Sequence, residues 1–438
     1  MTSPLRAAAI SLVVLALARP GAPARAQTPD RRDTLRLAEL QSVAARIDPR
    51  ERQLALQRQA TNLRLRTIAS DRLPALGGEG DGQYQSVVVA LPTPVPNLFF
   101  PAIPHDTYDA HVLARQTVYD PSIGPRADVE RASLATAEAR VRTNVYALHS
   151  DVNDAFFTAA LADARAGEIA AAIFNLEAQL RVARARVREG TALPSEAATV
   201  EAELLRRRQD RDDLFATRRA SLAVLASLTG RPISANDTLA LPALADAVAA
   251  SRASPPRARP EYAQFARTRD QLAAQERIVT AQSRPHVSAF ARVGYGKPGL
   301  NFLATDFNGY WLAGVQVQWA PWTWGNTDRD REVLELQQQI VASDEEAFTA
   351  ATQRAVERQL ADIDRVVASL RTDDTIIALR ERIERETQHR YTEAVVTAAE
   401  YVDRVNDVLA ARLARVSHEV ELAQARARYL TTIGLEPR

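Results

Sequence analysis

The chain describes one arrangement twice. A helix-forming segment starts at Pro49-Arg50-Glu51 and runs to Ser70-Asp71-Arg72-Leu73-Pro74. Another starts at Pro260-Glu261-Tyr262 and runs to Ala281-Gln282-Ser283-Arg284-Pro285. Both lead into strand-like sequence bearing glycine and aromatic residues, closed by Tyr119-Asp120-Pro121 in one copy and Trp319-Ala320-Pro321 in the other. Long Ala/Arg/Glu-rich stretches follow, and the copies finish on Leu228-Thr229-Gly230 and Thr432-Ile433-Gly434. A period of roughly 200 residues is far longer than the 20–50 of a solenoid unit. The sequence therefore predicts a duplicated helix–hairpin–helix–helix unit.

The remaining features narrow the class. Over 438 residues the formal net charge is +1, which excludes a general electrostatic attraction for nucleic acid. Lys297 is the only lysine, a sign of genomic composition rather than function. At the N-terminus Arg6 precedes an apolar run from Ala7 to Ala18, then Ala24-Arg25-Ala26. That is the layout of a cleaved secretory signal over residues 1–26, with Gln27 as the first mature residue. Cysteine is absent, so neither a disulfide nor a lipid-bearing cysteine is expected. No other segment approaches 18 consecutive apolar residues, and a transmembrane helix is not expected.

From Ala127 to Arg188 there is no proline and only Gly167; from Asp328 to Val396 there is neither. Both stretches are rich in strong helix formers, and at 1.5 Å per residue each would reach about 90–100 Å. Return helices are predicted over Ser195 to Leu228 and Ala398 to Thr432. Val408, Ala411, Leu413, Val416, Val420, Leu422 and Ala423 recur at helical spacing, an amphipathic face that needs partners. Taken alone, these segments fit a soluble coiled coil or bundle.

Between the helices the period changes from 3.6 to 2. Val287, Ala289, Ala291, Val293 and Tyr295 alternate with His286, Ser288, Phe290, Arg292 and Gly294. Trp311, Ala313, Val315, Val317 and Trp319 alternate with Leu312, Gly314, Gln316 and Gln318. An apolar band with tryptophan at both ends and glutamine opposite is the pattern of a membrane barrel strand, with Trp311 and Trp319 as its aromatic girdle. The first copy is weaker: Leu76 to Val89 carries Gly77, Gly78, Gly80 and Gly82, and its partner lies around Tyr108 to Tyr119. The connection Leu91 to Pro104 carries five prolines and is expected to be an irregular exposed loop. Four strands cannot close a membrane barrel, whose smallest form has about eight. Open edges are not tolerated in lipid, so such strands imply several chains sharing one barrel. A half-buried soluble hairpin is the plainer alternative.

With these features assembled, the mature chain resembles the TolC-like outer-membrane efflux protein family along essentially its whole length. The resemblance implies a mainly α fold with a pair of membrane β-hairpins: a homotrimer whose twelve-stranded β-barrel continues into a twelve-helix α-barrel tunnel. The first repeat would span 27–230, with strands in about 75–119 and a tip turn at about 189–196. A Pro-rich segment, 231–259, would connect it to a second repeat, 260–438, with strands in about 286–319 and a tip turn at about 393–400. Such a protein would be the exit duct of a tripartite efflux or type I secretion system. It would sit in outer-membrane lipid, its tunnel reaching into the periplasm towards a periplasmic adaptor and, through it, an inner-membrane transporter.

The most specific local match is at the helix–helix turns. The family often has a glycine there and, six residues on, an acidic residue opening the return helix. Gly190 and Glu196 fit in the first copy. In the second Glu400 fits, and Ala394 replaces the glycine. These turns are the expected adaptor contact. Ser195 and Thr397 are candidate N-caps. Glu400, Asp403 and Asp407 share one helix face; by resemblance, threefold rings of such acids would make a cation-selective entrance. Acidic residues in a first helical turn also simply complement the helix dipole. Tyr391 resembles a family tyrosine that bonds the acid of the other turn, here Glu196, giving Tyr391, Glu196 and Ser195 as a candidate tip gate. Val396 stands where some members carry a gating arginine. Plain packing between helices is the competing role for Tyr391.

Catalysis finds little support. The six histidines are scattered without metal-binding spacing, and no thiol or Gly-rich phosphate loop is present. No enzyme, cofactor or metal is expected. The alternative of another class is a periplasmic coiled-coil adaptor or scaffold without a pore, which would explain the helices but not the duplicated hairpins.

Overall fold

A computed structural model describes residues 33–88, 103–301 and 304–436. The predicted signal segment, the end of the first strand near Val89 and most of the Leu91 to Pro104 connection lie outside these.

The chain opens with β1 (Thr34–Arg36), α1 (Leu37–Ile47) and α2 (Pro49–Ser70). Asp48 begins α2, its side chain accepting from the Arg50 amide with Pro49 in the first turn, so one orphan amide is satisfied and one removed. The hairpin β2 (Ala75–Tyr84) and β3 (Asp106–Tyr119) comes next, then α3 (Ile123–Tyr146), α4 (Leu148–Arg188) and the return helix α5 (Pro194–Thr229). Short elements β4 (Thr238–Ala240) and α6 (Ala245–Arg252) precede the second round. That round consists of α7 (Pro260–Gln282), the hairpin β5 (His286–Lys297) and β6 (Asn308–Gln318), α8 (Asn326–Thr392) and α9 (Ala398–Ile433).

Two expectations are corrected. The stretch from Ala127 to Arg188 is not one helix: α3 and α4 are separate, with Ala147 between them. The counterpart α8 runs unbroken for 67 residues, or about 100 Å. Ser195 does not cap α5. Pro194 already occupies the first turn and Leu193 is the capping position, because proline suits the position whose amide is unpaired. Thr397 does cap α9, accepting from the Glu400 amide at 3.2 Å.

The segment between the copies holds more structure than its prolines suggest. β4 pairs in parallel with β1, Thr34 opposite Thr238 and Leu35 opposite Leu239. Asp33-Thr34-Leu35 recurs as Asp237-Thr238-Leu239, and Leu37 and Leu40 recur as Leu241 and Leu244. The Asp33 amide donates to Asp237 Oδ1 at 3.1 Å, and Arg218 donates to the Ala235 and Asp237 carbonyls. The two copies are thus clasped together at their starts.

The helices pack in layers along the molecule. α4 lies against α5 and α8 against α9, while α3 packs on α7 nearer the sheet. The main core gathers Leu35, Leu37, Leu40, Phe156, Phe157, Leu225, Leu244, Val366, Tyr429 and Leu430 where both copies meet. A second cluster runs along the hairpins through Ile173, Leu176, Leu180, Val200, Leu204, Val402 and Leu409. The four long strands form one antiparallel sheet in the order β2-β3-β5-β6. Both outer strands, β2 and β6, have one edge without a partner among the described residues.

Candidate functional site

At the far end of the hairpins the two turns have the same backbone. Gly190 has φ +72° and Ala394 φ +59°. In the first, the Thr191 amide reaches back to the Arg186 carbonyl at 2.9 Å; in the second, the Val395 amide reaches the Arg390 carbonyl at 2.8 Å. Both are left-handed helix terminations of the kind that favours glycine. Ala394 replaces the glycine yet keeps its conformation.

Between the turns lies a column of side chains from three helices. Tyr391, at the end of α8, is 4% exposed, and Tyr401, at the start of α9, is 3% exposed. Their rings are parallel, 5.3 Å apart with an interplanar angle of 3°. The Arg186 guanidinium, from α4, sits 5.2 Å above the Tyr391 ring and donates to the Tyr391 carbonyl at 3.4 Å. The Tyr391 hydroxyl donates to Glu196 Oε2 and the Tyr401 hydroxyl to Glu384 Oε1, both at 3.4 Å. Burial, with Glu196 beside it, pushes the Tyr391 phenol above its ordinary pKa. Burial and Glu384 raise Tyr401 further, so both phenols stay neutral donors across the ordinary pH range.

The structure thus brings Tyr391 and Glu196 together. It leaves Ser195 exposed at the surface, where its carbonyl accepts from Thr199. Arg186, Glu384 and Tyr401 escaped the sequence reading. The available signal was comparison of the copies, because the first has Val187 and Ala197 where the second has Tyr391 and Tyr401.

The acidic face divides. Glu400 and Asp403 are exposed, and among the described residues their carboxylates form no ion pair. Asp407 differs: its Oδ2 lies 3.0 Å from Arg380 and 2.8 Å from Arg404. It shares the helix face of the other two but is ion-paired, whereas they are not.

The sheet at the other end has two unlike faces. Register places Val112, Val293 and Trp311 in one row and Ala114, Ala291 and Ala313 in the next. Tyr108, Tyr119, Tyr295, Val315 and Val317 belong to this same face and are exposed. Trp311 and Trp319 bracket it on the β6 side. The opposite face is polar. Glu79, His111, Gly294 and Tyr310 are aligned across the four strands. The His111 ring lies between Asp109, 2.6 Å from Nδ1, and Glu79, 3.1 Å from Nε2. Tyr310 donates to Asp109 Oδ1 at 2.5 Å, crossing Gly294, where an added Cβ would meet its ring at 2.5 Å.

No family model matches the chain, and no curated protein matches it. Solved structures do. The chain is similar to the outer-membrane channel OprN at 16% identity and a TM-score of 0.67, covering 91% of this chain and 89% of that one. It is similar to the outer membrane protein VceC of Vibrio cholerae at 14% identity and a TM-score of 0.66, covering 92% and 97%. The open state of the Neisseria gonorrhoeae MtrE outer membrane channel matches at 16% identity and a TM-score of 0.63, covering 92% and 89%. The shared feature is the fold, over nearly the whole length of each chain.

Proposed function

We propose that this chain, which has the fold of the outer-membrane channels, is itself an outer-membrane exit duct and not an enzyme. It conducts cargo passively from an inner-membrane transporter and a periplasmic adaptor to the exterior. The observation that carries the reading is the four-stranded sheet. One of its faces carries a largely exposed apolar band, with Gln116 and the Lys297–Asp106 pair towards its two ends. Among the described residues both its edges are unpaired, and no helix is long and apolar enough to cross a membrane. In lipid an unpaired edge is untenable, and pairing β6 of one copy with β2 of the next removes it. Three copies give twelve strands, and α3/α4, α5, α8 and α9 of each copy supply a twelve-helix tunnel.

The helices support the same assembly. Along α8, Val333, Leu336 and Ile340, and again Ile376, Leu379 and Ile383, are exposed at i, i+3 and i+7 spacing, a stripe that a neighbouring helix would cover. A pore-less periplasmic adaptor would leave the apolar sheet face unexplained.

At the tunnel tip, Glu400 and Asp403 form the acidic entrance and favour cations, while Asp407 is held by its arginines. Tyr391 and Glu196, stacked and braced by Tyr401 and Arg186, hold the two hairpins of a protomer together, and the turns at Gly190 and Ala394 meet the adaptor. The reading is tested by fractionation followed by single-channel recording in planar bilayers. A heat-modifiable outer-membrane trimer with cation selectivity is expected, and Glu400→Ala with Asp403→Ala lowers that selectivity severalfold. Recovery as a soluble periplasmic monomer overturns it.

A further inference from the structure

All four tryptophans of the chain, Trp311, Trp319, Trp322 and Trp324, fall in one stretch of the second copy. They are 75%, 61%, 72% and 77% exposed. The last three sit where β6 has ended and α8 has yet to begin at Asn326. The first copy has Tyr119 at this junction, then Ser122 and Gly124 where Trp322 and Trp324 stand. The two copies therefore leave the sheet differently: the first is helical from Ile123, whereas the second passes through left-handed Trp324 and Gly325 before α8 begins.

The rings are fixed in place. Trp319 continues the outward alternation of Val315 and Val317, and its indole N–H donates to the Ser283 carbonyl at 3.1 Å. Trp322 and Trp324 meet edge to face, 5.8 Å apart. Trp324 has φ +55°, the left-handed region that a bulky side chain rarely adopts. Arg329 donates to its carbonyl at 2.5 Å, and Gly325 follows it at φ +74°. The fold thus holds large apolar rings outward at a conformational cost, which is the expected arrangement where something amphipathic receives them.

Their level identifies what does. From the Tyr295–Gly309 pair to Trp319, ten residues of strand span roughly 33 Å, or about 25 Å along the membrane normal at a ~40° tilt. That is the height of the apolar band of a membrane barrel. Trp319 falls at its lower boundary, with Trp322 and Trp324 just beyond, among the headgroups, where indole rings are enriched because they are apolar in the body and polar at the N–H.

We propose that Trp319, Trp322 and Trp324 form an anchor in the headgroup–acyl boundary of the periplasmic-side phospholipid leaflet. It occurs once per protomer, at the β6–α8 junction only, so a trimer is gripped at three points rather than six. The proposal rests on the reading of the apolar sheet face as lipid-facing.

Tryptophan fluorescence reports on this stretch alone. The full chain is reconstituted in phosphatidylcholine vesicles whose acyl chains carry bromine at carbons 6,7 or 11,12. The Trp311→Phe/Trp319→Phe variant leaves Trp322 and Trp324 as reporters, and Trp322→Phe/Trp324→Phe leaves Trp311 and Trp319. Expected is roughly twofold quenching of Trp322 and Trp324 by the 6,7-dibrominated lipid and distinctly less by the 11,12 form. Should the first variant fail to fold, the difference between wild type and the second variant gives the same signal. If Trp322 and Trp324 are unquenched while Trp311 and Trp319 are quenched, the anchor is overturned and the lipid face stands. Resistance to acrylamide then assigns the rings to a second copy of the chain, and sensitivity assigns them to water. If neither pair is quenched, the lipid-facing reading of the sheet fails and the anchor with it.

Discussion

The hairpin α4–α5 and its duplicate α8–α9 end in the same turn and have return helices of 36 residues each, but they are buried to very different degrees. α4 hides Val152, Phe156, Phe157, Ile169, Ile173, Leu176 and Leu180 within its own chain. α8, though longer, buries few side chains, among them Val356, Ile363, Val366 and Tyr391. The first copy is therefore the folding scaffold of the protomer, and much of α8 is a surface awaiting a neighbour. Substitution separates the two roles. Phe156→Ala removes a wholly buried ring and should lower protomer stability by about 3–5 kcal/mol, read as loss of folded protein in chemical denaturation. Leu379→Asp, on the exposed stripe of α8, should leave helicity by circular dichroism intact and convert the oligomer to monomer in size-exclusion chromatography. Equal behaviour of the two variants would erase the distinction.

The tips sharpen the same contrast. Tyr391 and Tyr401 give the second hairpin an aromatic column, and Arg186 is the first hairpin's contribution to it. Tyr401→Ala removes a stacked ring and leaves a cavity, about 3 kcal/mol or more in this local cluster. Arg186→Ala removes a half-buried cation–π contact of roughly 1 kcal/mol. Both should raise resting single-channel conductance, Tyr401→Ala more. Tyr401→Phe keeps the stack and gives up only a 3.4 Å hydrogen bond, so its conductance should stay near that of wild type. A larger effect for Phe than for Ala would mean that the hydroxyl, not the ring, holds the column.

How much of this was legible in the sequence depends on the range of the interaction. Strand alternation and helix limits follow from local periodicity, and β5, β6, α7 and α9 lie close to where the pattern puts them. The Ala147 interruption was not readable, because no proline or glycine marks it. There the Tyr146 hydroxyl donates to the Thr431 carbonyl at 2.8 Å, 285 positions away, while its ring meets that of His149 at a tilt of 51°. The pairing of Asp407 was hidden for a related reason. Its spacing from Glu400 and Asp403 is visible in the sequence, but Arg380 reaches it from the neighbouring helix. Arg186 and Tyr401 are likewise partners only in space. The β1–β4 clasp, by contrast, was present as a literal repeat of Asp-Thr-Leu and passed unnoticed beside the prolines.

His149 offers a pH test of the two copies. It is buried on α4, and desolvation holds its pKa below the ordinary histidine value, with only partial opposition from Glu436. Its counterpart, 204 positions on, is Gln353, which bonds Glu357 and does not titrate. Because the folded His149 resists the proton that the unfolded chain accepts, the unfolded state binds more protons below about pH 6.5, and stability falls as pH is lowered through that point. The slope contributed by one such group is at most about 1.4 kcal/mol per pH unit. His149→Gln should flatten the fall in a denaturation series between about pH 7 and 5, whereas Gln353→Ala should leave it unchanged. A profile that keeps its slope in His149→Gln would assign the pH dependence to other groups.

The smallest effect is the cleanest comparison, because the two turns differ by one methyl group in the same backbone. Gly190 at φ +72° has nothing within 4 Å of where a Cβ would stand, so Gly190→Ala brings no clash and only the left-handed penalty. That penalty is about 1–2 kcal/mol and is partly offset by the reduced freedom of the unfolded chain. The net loss is about 1 kcal/mol. Ala394 already bears the same penalty, so Ala394→Gly should gain about 0.5–1 kcal/mol. Hydrogen exchange at the two homologous amides reads both changes locally. Thr191 N–H should exchange roughly fivefold faster in Gly190→Ala, and Val395 N–H two- to fivefold more slowly in Ala394→Gly. A second turn that loosened with glycine would show that Ala394 is held by contacts of its side chain, and that the two turns are alike in backbone only.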